Sequence, residues 1–163
     1  MCDGNCGNEM CMPFHRLAFP RLILNNSKGN FMSLVISLAR DNDCPSEYTD
    51  GDYVDIDSEG IWWYMYPEMK EFNEANGQRV DLYSICMMDP GAIGSFINAL
   101  DKVSQRLKAE VNEAISIVIG KWDNGDPVMV DVRASEIAQK IAGLVSIAQR
   151  ADKNSIALAI VGD

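Results

Sequence analysis

The chain has 163 residues, enough for one core-forming domain, with 47% hydrophobic residues and 24 Asp plus Glu against 14 Lys plus Arg. That apolar content excludes a fully disordered chain, and the net charge of −10 argues against a free-standing nucleic-acid binder, which needs clustered cations for phosphates. No apolar run approaches the length of a membrane span, and the polar, Cys-rich start lacks the basic-then-apolar order of a signal peptide. The expectation is one domain over residues 1–163 with a distinct Cys-rich segment over 1–15.

In chain order, Leu17–Leu24 and Phe31–Ala39 are apolar segments separated by the turn-forming run Asn25–Asn30, a pattern that predicts a hairpin with Pro20 at an edge or bulge. Tyr53–Asp57 alternates, with Val54 and Ile56 on one face and Asp55 and Asp57 on the other. Ser58-Glu59-Gly60 then reads as a hairpin loop leading into a second strand, Ile61–Tyr66. Pro67–Asn76 reads as a short helix with Pro at its first position and Gly77 just past its end. Arg79–Cys86 returns to β character.

Asp89-Pro90 is a cap followed by Pro at N1 and opens a long helix. Its apolar stripe is Ile93, Phe96, Ile97, Leu100, Val103, Leu107 and Val111. Ile115–Ile119 and Pro127–Val132 flank Asp123-Asn124-Gly125-Asp126 and predict a hairpin. Ser135–Gln149 predicts a helix with Ile137, Ile141, Leu144, Val145 and Ala148 inward, and Ser155–Val161 a buried strand. Hairpins with separate helices imply an α+β fold: a mainly antiparallel sheet with one long and one or two shorter helices on one face.

Three features carry candidate chemistry. Cys2, Cys6, Cys11 and His15 combine soft ligands with a Gly- and Asn-rich spacing that can wrap zinc, or, with Cys44 or Cys86 as a further ligand, an iron–sulfur cluster. The spacing matches neither zinc ribbons nor ferredoxin runs, so a segment with idle thiols is the competing reading. Cys2 as an N-terminal nucleophile is a third, for which nothing downstream offers support. Five cysteines is an odd number, and their clustering favours a reducing, cytoplasmic setting over a disulfide scaffold. Cys44 and Cys86 read as small hydrophobes.

The second feature is charge. From Asp41 to Met69 there are nine acids and no Lys or Arg, and residues 51–100 hold nine acids to two bases. Such a window repels itself unless something basic docks on it. Asp50, Asp52, Asp55 and Asp57 are alternatively carboxylate ligands for a divalent ion, although the calcium-loop pattern is not met.

The third is Ile61–Tyr66, which on a strand puts Trp62, Tyr64 and Tyr66 on one face. That face is either core or a partner surface, since Trp and Tyr bury much area while keeping a polar tip. No nucleotide-binding, serine-hydrolase or zinc-protease motif occurs, and His15 is the only histidine. The expected function is therefore non-enzymatic binding of a protein with a basic surface, through Asp50, Asp52, Asp55, Asp57, Trp62, Tyr64 and Tyr66. An inhibitor, adaptor, immunity factor or assembly subunit fits, including a homo-oligomer, with no direct contact to nucleic acid or membrane. The alternative is a small metalloprotein whose zinc or iron–sulfur site at Cys2, Cys6, Cys11 and His15 has a structural or redox role.

Overall fold

A computed structural model of the chain describes residues 33–39 and 49–162. Strand β1 (Leu34–Leu38) pairs antiparallel with β2 (Tyr53–Ile56), with Leu34 opposite Ile56 and Ile36 opposite Val54. Helix α1 (Glu59–Asn76) follows, then β3 (Ile85–Met88), helix α2 (Pro90–Ala109), the ribbon β4 (Ala114–Lys121) with β5 (Pro127–Arg133), helix α3 (Ala134–Asn154) and β6 (Leu158–Gly162). The four-stranded sheet has the order β2-β1-β6-β3 with every pairing antiparallel, while β4 and β5 form a separate two-stranded sheet. The fold is α+β, as the alternation of hairpin and helix signals implies. No described helix is long and apolar enough to cross a membrane.

The register places Leu34, Ile36, Val54, Ile56, Cys86, Met88, Leu158 and Ile160 on one sheet face. α3 packs there so closely that a Cβ on Gly143 would stand 2.9 Å from Val54 Cγ2. Ile137, Ile141, Leu144, Ile147, Ala148 and Ala151 form the buried side of α3, which runs to Asn154, five residues beyond the predicted end at Gln149. α2 packs against both α1 and α3. Its Asp89 cap accepts a hydrogen bond from the Gly91 N–H at 2.7 Å, and Ile93, Phe96, Leu100, Val103 and Leu107 are buried as predicted. Val111 is not part of that stripe. Glu110 takes an extended conformation and ends the helix, leaving Val111 exposed.

Two segments differ from expectation, for physical reasons. Ile61–Tyr66 is helical, and Ser58 is a helix N-cap instead of part of a hairpin loop. Six large apolar residues in a row carry no period of their own. The helix becomes visible only across Pro67, where Ile61, Met65, Met69 and Phe72 make one buried stripe at spacings of four, four and three. Pro67 therefore lies inside α1 instead of opening it, and Gly77, at φ +63°, ends the helix as predicted. Arg79–Ser84 is not a strand either, since β3 begins at Ile85. The Asn73 side chain takes the place of a neighbouring strand: its amide donates to the Val80 carbonyl at 2.9 Å and accepts from the Val80 N–H at 3.0 Å. The paired strand for Phe31–Ala39 expected at Leu17–Leu24 lies outside the described residues.

The ribbon rests on α1. Val130 and Val132 face Gly60, and a Cβ built there would collide with Val132 Cγ2. Gly60→Ala should thus destabilise the protein by ~1–3 kcal/mol through overpacking. Leu100→Ala, at a fully buried site, should cost ~2–5 kcal/mol, whereas Gln105→Ala on the exposed side of α2 should change stability by less than about 0.5 kcal/mol. Chemical denaturation of the three variants checks the packing; equal losses at Leu100 and Gln105 would contradict it.

Candidate functional site

On a helix, successive residues turn by about 100°, so α1 separates the aromatic residues that a strand would align. Trp62 and Tyr64 are 3% and 5% exposed and belong to the hydrophobic core. Tyr64 faces α2, where the Arg106 guanidinium lies 4.0 Å from its ring centroid and donates to the Tyr64 carbonyl. Arg106 also donates two 2.8 Å hydrogen bonds to the Glu68 carboxylate. These bonds to Glu68 are the main influence raising the Arg106 guanidinium above its ordinary range, with burial opposing. Burial pushes the Tyr64 phenol above its ordinary range; Arg106 pulls it back, and the Glu110 and Glu68 carboxylates push it further up. The Tyr64 hydroxyl is buried without a hydrogen-bond partner among the described residues. Trp62 and Tyr64 are thus parts of the core, not the exposed anchors expected on a strand face.

The acidic window also has an internal answer. Arg150 of α3 meets the Asp52 carboxylate at 2.6 Å and donates to the Gly51 carbonyl at 2.6 Å. Lys140 of α3 lies 3.1 Å from Asp57 Oδ1 and donates to the Asp55 carbonyl. A cation-free stretch of sequence is therefore not cation-free in space, because α3 brings its charges from more than eighty residues downstream. Asp50 is exposed in the turn before β2. Asp41, Asp43 and Glu47 lie outside the described residues, as do Cys2, Cys6, Cys11, His15 and Cys44. Among the described residues no group of three His, Cys, Asp or Glu side chains is placed to hold a metal ion. Cys86 is half-buried against the core, its thiol donating to the Arg79 carbonyl at 3.1 Å.

What α1 does present to solvent is its other edge. Trp63, Tyr66 and Lys70 recur at three- and four-residue spacing and form one wall of a groove of about 460 Å3. Arg79 and Tyr83 form the facing wall, and Trp62 contributes to the lining. The Tyr66 ring sits 5.0 Å from Trp63 and 6.3 Å from Trp62, centroid to centroid. Tyr83 is 68% exposed, its backbone fixed by a 2.8 Å hydrogen bond to the Asp81 carboxylate, and Ile85 beyond it is 54% exposed. The Asn73 bonds to Val80 tie the two walls together. Of the expected partner-binding residues only Tyr66 is an exposed part of this groove. Trp63, Lys70, Arg79 and Tyr83 are additions: Trp63 and Lys70 share with Tyr66 a second helical stripe, hidden by the division of α1 at Pro67, whereas Arg79 and Tyr83 lie beyond the helix and carry no such periodic signal.

Comparison with protein-family models, curated proteins and solved structures finds no match. The geometry alone therefore bears on function: an aromatic surface, a rim that carries Lys70 and Arg79 beside Glu74 and Asp81, and a frame fixed by side-chain hydrogen bonds.

The pairing of the acidic window with α3 yields a prediction opposite to that of an unpaired acidic surface. Asp52→Asn with Asp57→Asn should lower stability slightly, by ~0.5–2 kcal/mol for two exposed pairs, and the loss should shrink at high salt. Thermal melts at two ionic strengths check this; a more stable double variant would show that self-repulsion outweighs the α3 contacts.

Proposed function

We propose that this chain is a non-enzymatic protein-binding protein whose contact surface is the aromatic groove between α1 and residues 78–83. The observation that carries the reading is the exposure of Tyr83 and Tyr66 on a groove already shaped in the free chain. Burying large aromatic side chains supplies most of the energy at protein interfaces, and Trp, Tyr and Arg dominate their centres. A wall held by Asn73 needs little ordering on binding, so less of the contact energy is lost to entropy.

The partner we infer carries an apolar anchor for the groove within a basic surface. The net charge of −10 attracts such a surface over distance and speeds encounter. Inhibitor, adaptor, immunity factor and assembly subunit all work in this way, and the proposal covers that class. A reducing, cytoplasmic setting is part of it and rests on the odd count of five cysteines.

The test is capture of partners from a lysate of the source cells by tagged wild type and by the Tyr66→Ser/Tyr83→Ser double variant. The double variant should melt close to wild type, because both residues are exposed, yet bind its partner more weakly by ~2 kcal/mol or more, chiefly through faster dissociation. Added salt should mainly slow association. A double variant that keeps the same partner with an unchanged dissociation rate would overturn the groove as the contact surface.

A further inference from the structure

Resting on the groove as the contact surface, we infer that its occupant is a proline-rich segment of the partner, bound as an extended polyproline II chain with Lys or Arg at its flanks. Backbone bonding excludes one rival, an added strand. The Val80 N–H and C=O are both held by the Asn73 side chain, the Tyr83 N–H by Asp81, and the Ser84 carbonyl by the Gly162 N–H at 2.8 Å. The opposite wall is helix α1, which presents no strand edge. Size excludes the other rival, a helix. The α1 lining runs from Trp63 to Glu74, so at 1.5 Å per residue the groove is about 16 Å long. A volume of about 460 Å3 over that length leaves a section of about 28 Å2, roughly a third of what an α-helix 10 Å across fills. A single extended chain fits, and at 3.1 Å per residue about five residues of polyproline II span the length.

Charge and ring chemistry select the occupant. The rim sets Lys70 and Arg79 beside Glu74 and Asp81, so a charged anchor of either sign meets a like charge there, and an uncharged one does not. Around this balanced centre the surface is acidic. Residues 51–100 hold nine acids to two bases, and both of those bases, Lys70 and Arg79, stand on the groove. Basic flanks of the segment therefore meet carboxylates, while its uncharged middle meets the aromatic rings. The Trp63 and Tyr66 rings, 5.0 Å apart and tilted by 58°, make a notch for a flat proline ring, with Tyr83 across from it. Polyproline II has no internal hydrogen bonds, so its carbonyls are free to accept from the hydroxyls of the exposed Tyr66 and Tyr83. Its locked φ also leaves little chain entropy to lose on binding.

The probe is a fluorescein-labelled peptide of about eight prolines with a pair of lysines at each end, titrated with the full chain and followed by anisotropy. Control peptides keep the lysine ends around a helix-forming alanine core or a strand-forming core of alternating Thr and Val. The proline peptide should bind with a Kd below about 500 µM, and each control at least about tenfold more weakly. Tyr66→Ser and Tyr83→Ser should each weaken the proline peptide by about tenfold, and glutamates in place of its end lysines should do the same at low salt. Both tyrosines are exposed, and circular dichroism melts confirm that the variants are folded. A proline peptide left unbound at about 1 mM chain overturns the inference. So does a control core bound as tightly, or an affinity indifferent to both substitutions. A captured partner that the Tyr66→Ser/Tyr83→Ser variant loses, but that the proline peptide does not displace from wild type, overturns the proline-rich occupant and keeps the groove. A partner that the double variant keeps at an unchanged dissociation rate overturns the groove, and the occupant with it.

Discussion

The packing of α1 between α2 and the β4–β5 ribbon is the contact on which the rest of the molecule depends. On one side, Phe72 meets Phe96 at 5.4 Å between ring centroids, and Arg106 ties the Tyr64 carbonyl and the Glu68 carboxylate to α2. On the other, Gly60 lets the ribbon approach to van der Waals contact through Val130 and Val132. A helix held on two sides can spare its third edge for solvent, and that edge carries Trp63, Tyr66 and Lys70. The groove is thus a consequence of how the core is built. Any substitution that rotates α1 moves both its core stripe and its exposed wall.

Electrostatics follows the same economy. The chain is strongly acidic, yet its scarce cations are placed across element boundaries: Lys102 and Arg106 of α2 on Glu71 and Glu68 of α1, and Lys140 and Arg150 of α3 on the β2 region. Most of these pairs are exposed, so each contributes little to stability. The Arg106–Glu68 pair is the exception, with Glu68 only 13% exposed and both nitrogens of the fork engaged. What the distribution does is fix which surfaces stay acidic, and hence what a partner meets on approach.

The parts of the fold legible in the sequence are those where one local signal suffices. Asp89-Pro90 announced α2, Gly77 ended α1, and the Asp123–Asp126 run marked the β4–β5 turn. The illegible parts are those where a distant residue decides. Asn73 replaces a strand for Val80, so a β-like sequence at 79–84 stays irregular. Lys140 and Arg150 supply counter-charges that no local window contains. Ile61–Tyr66 was ambiguous because an unbroken apolar run fits either period, and Pro67, a frequent helix starter, drew the boundary in the wrong place. The same misplacement hid the candidate site, for the groove stripe begins at Trp63 and ends at Lys70, on opposite sides of Pro67.

The account divides one aromatic helix into a side that supports the fold and an edge left for contact. Fluorine NMR of the full chain labelled with fluorotryptophan, titrated with a soluble paramagnetic agent, reads that division directly from its three tryptophans. Trp62 should be the least broadened, Trp63 intermediate, and Trp122, exposed near the ribbon turn, the most. If Trp62 were broadened as strongly as Trp122, the aromatic segment would not be a core helix, and the groove built on its outer edge would not exist.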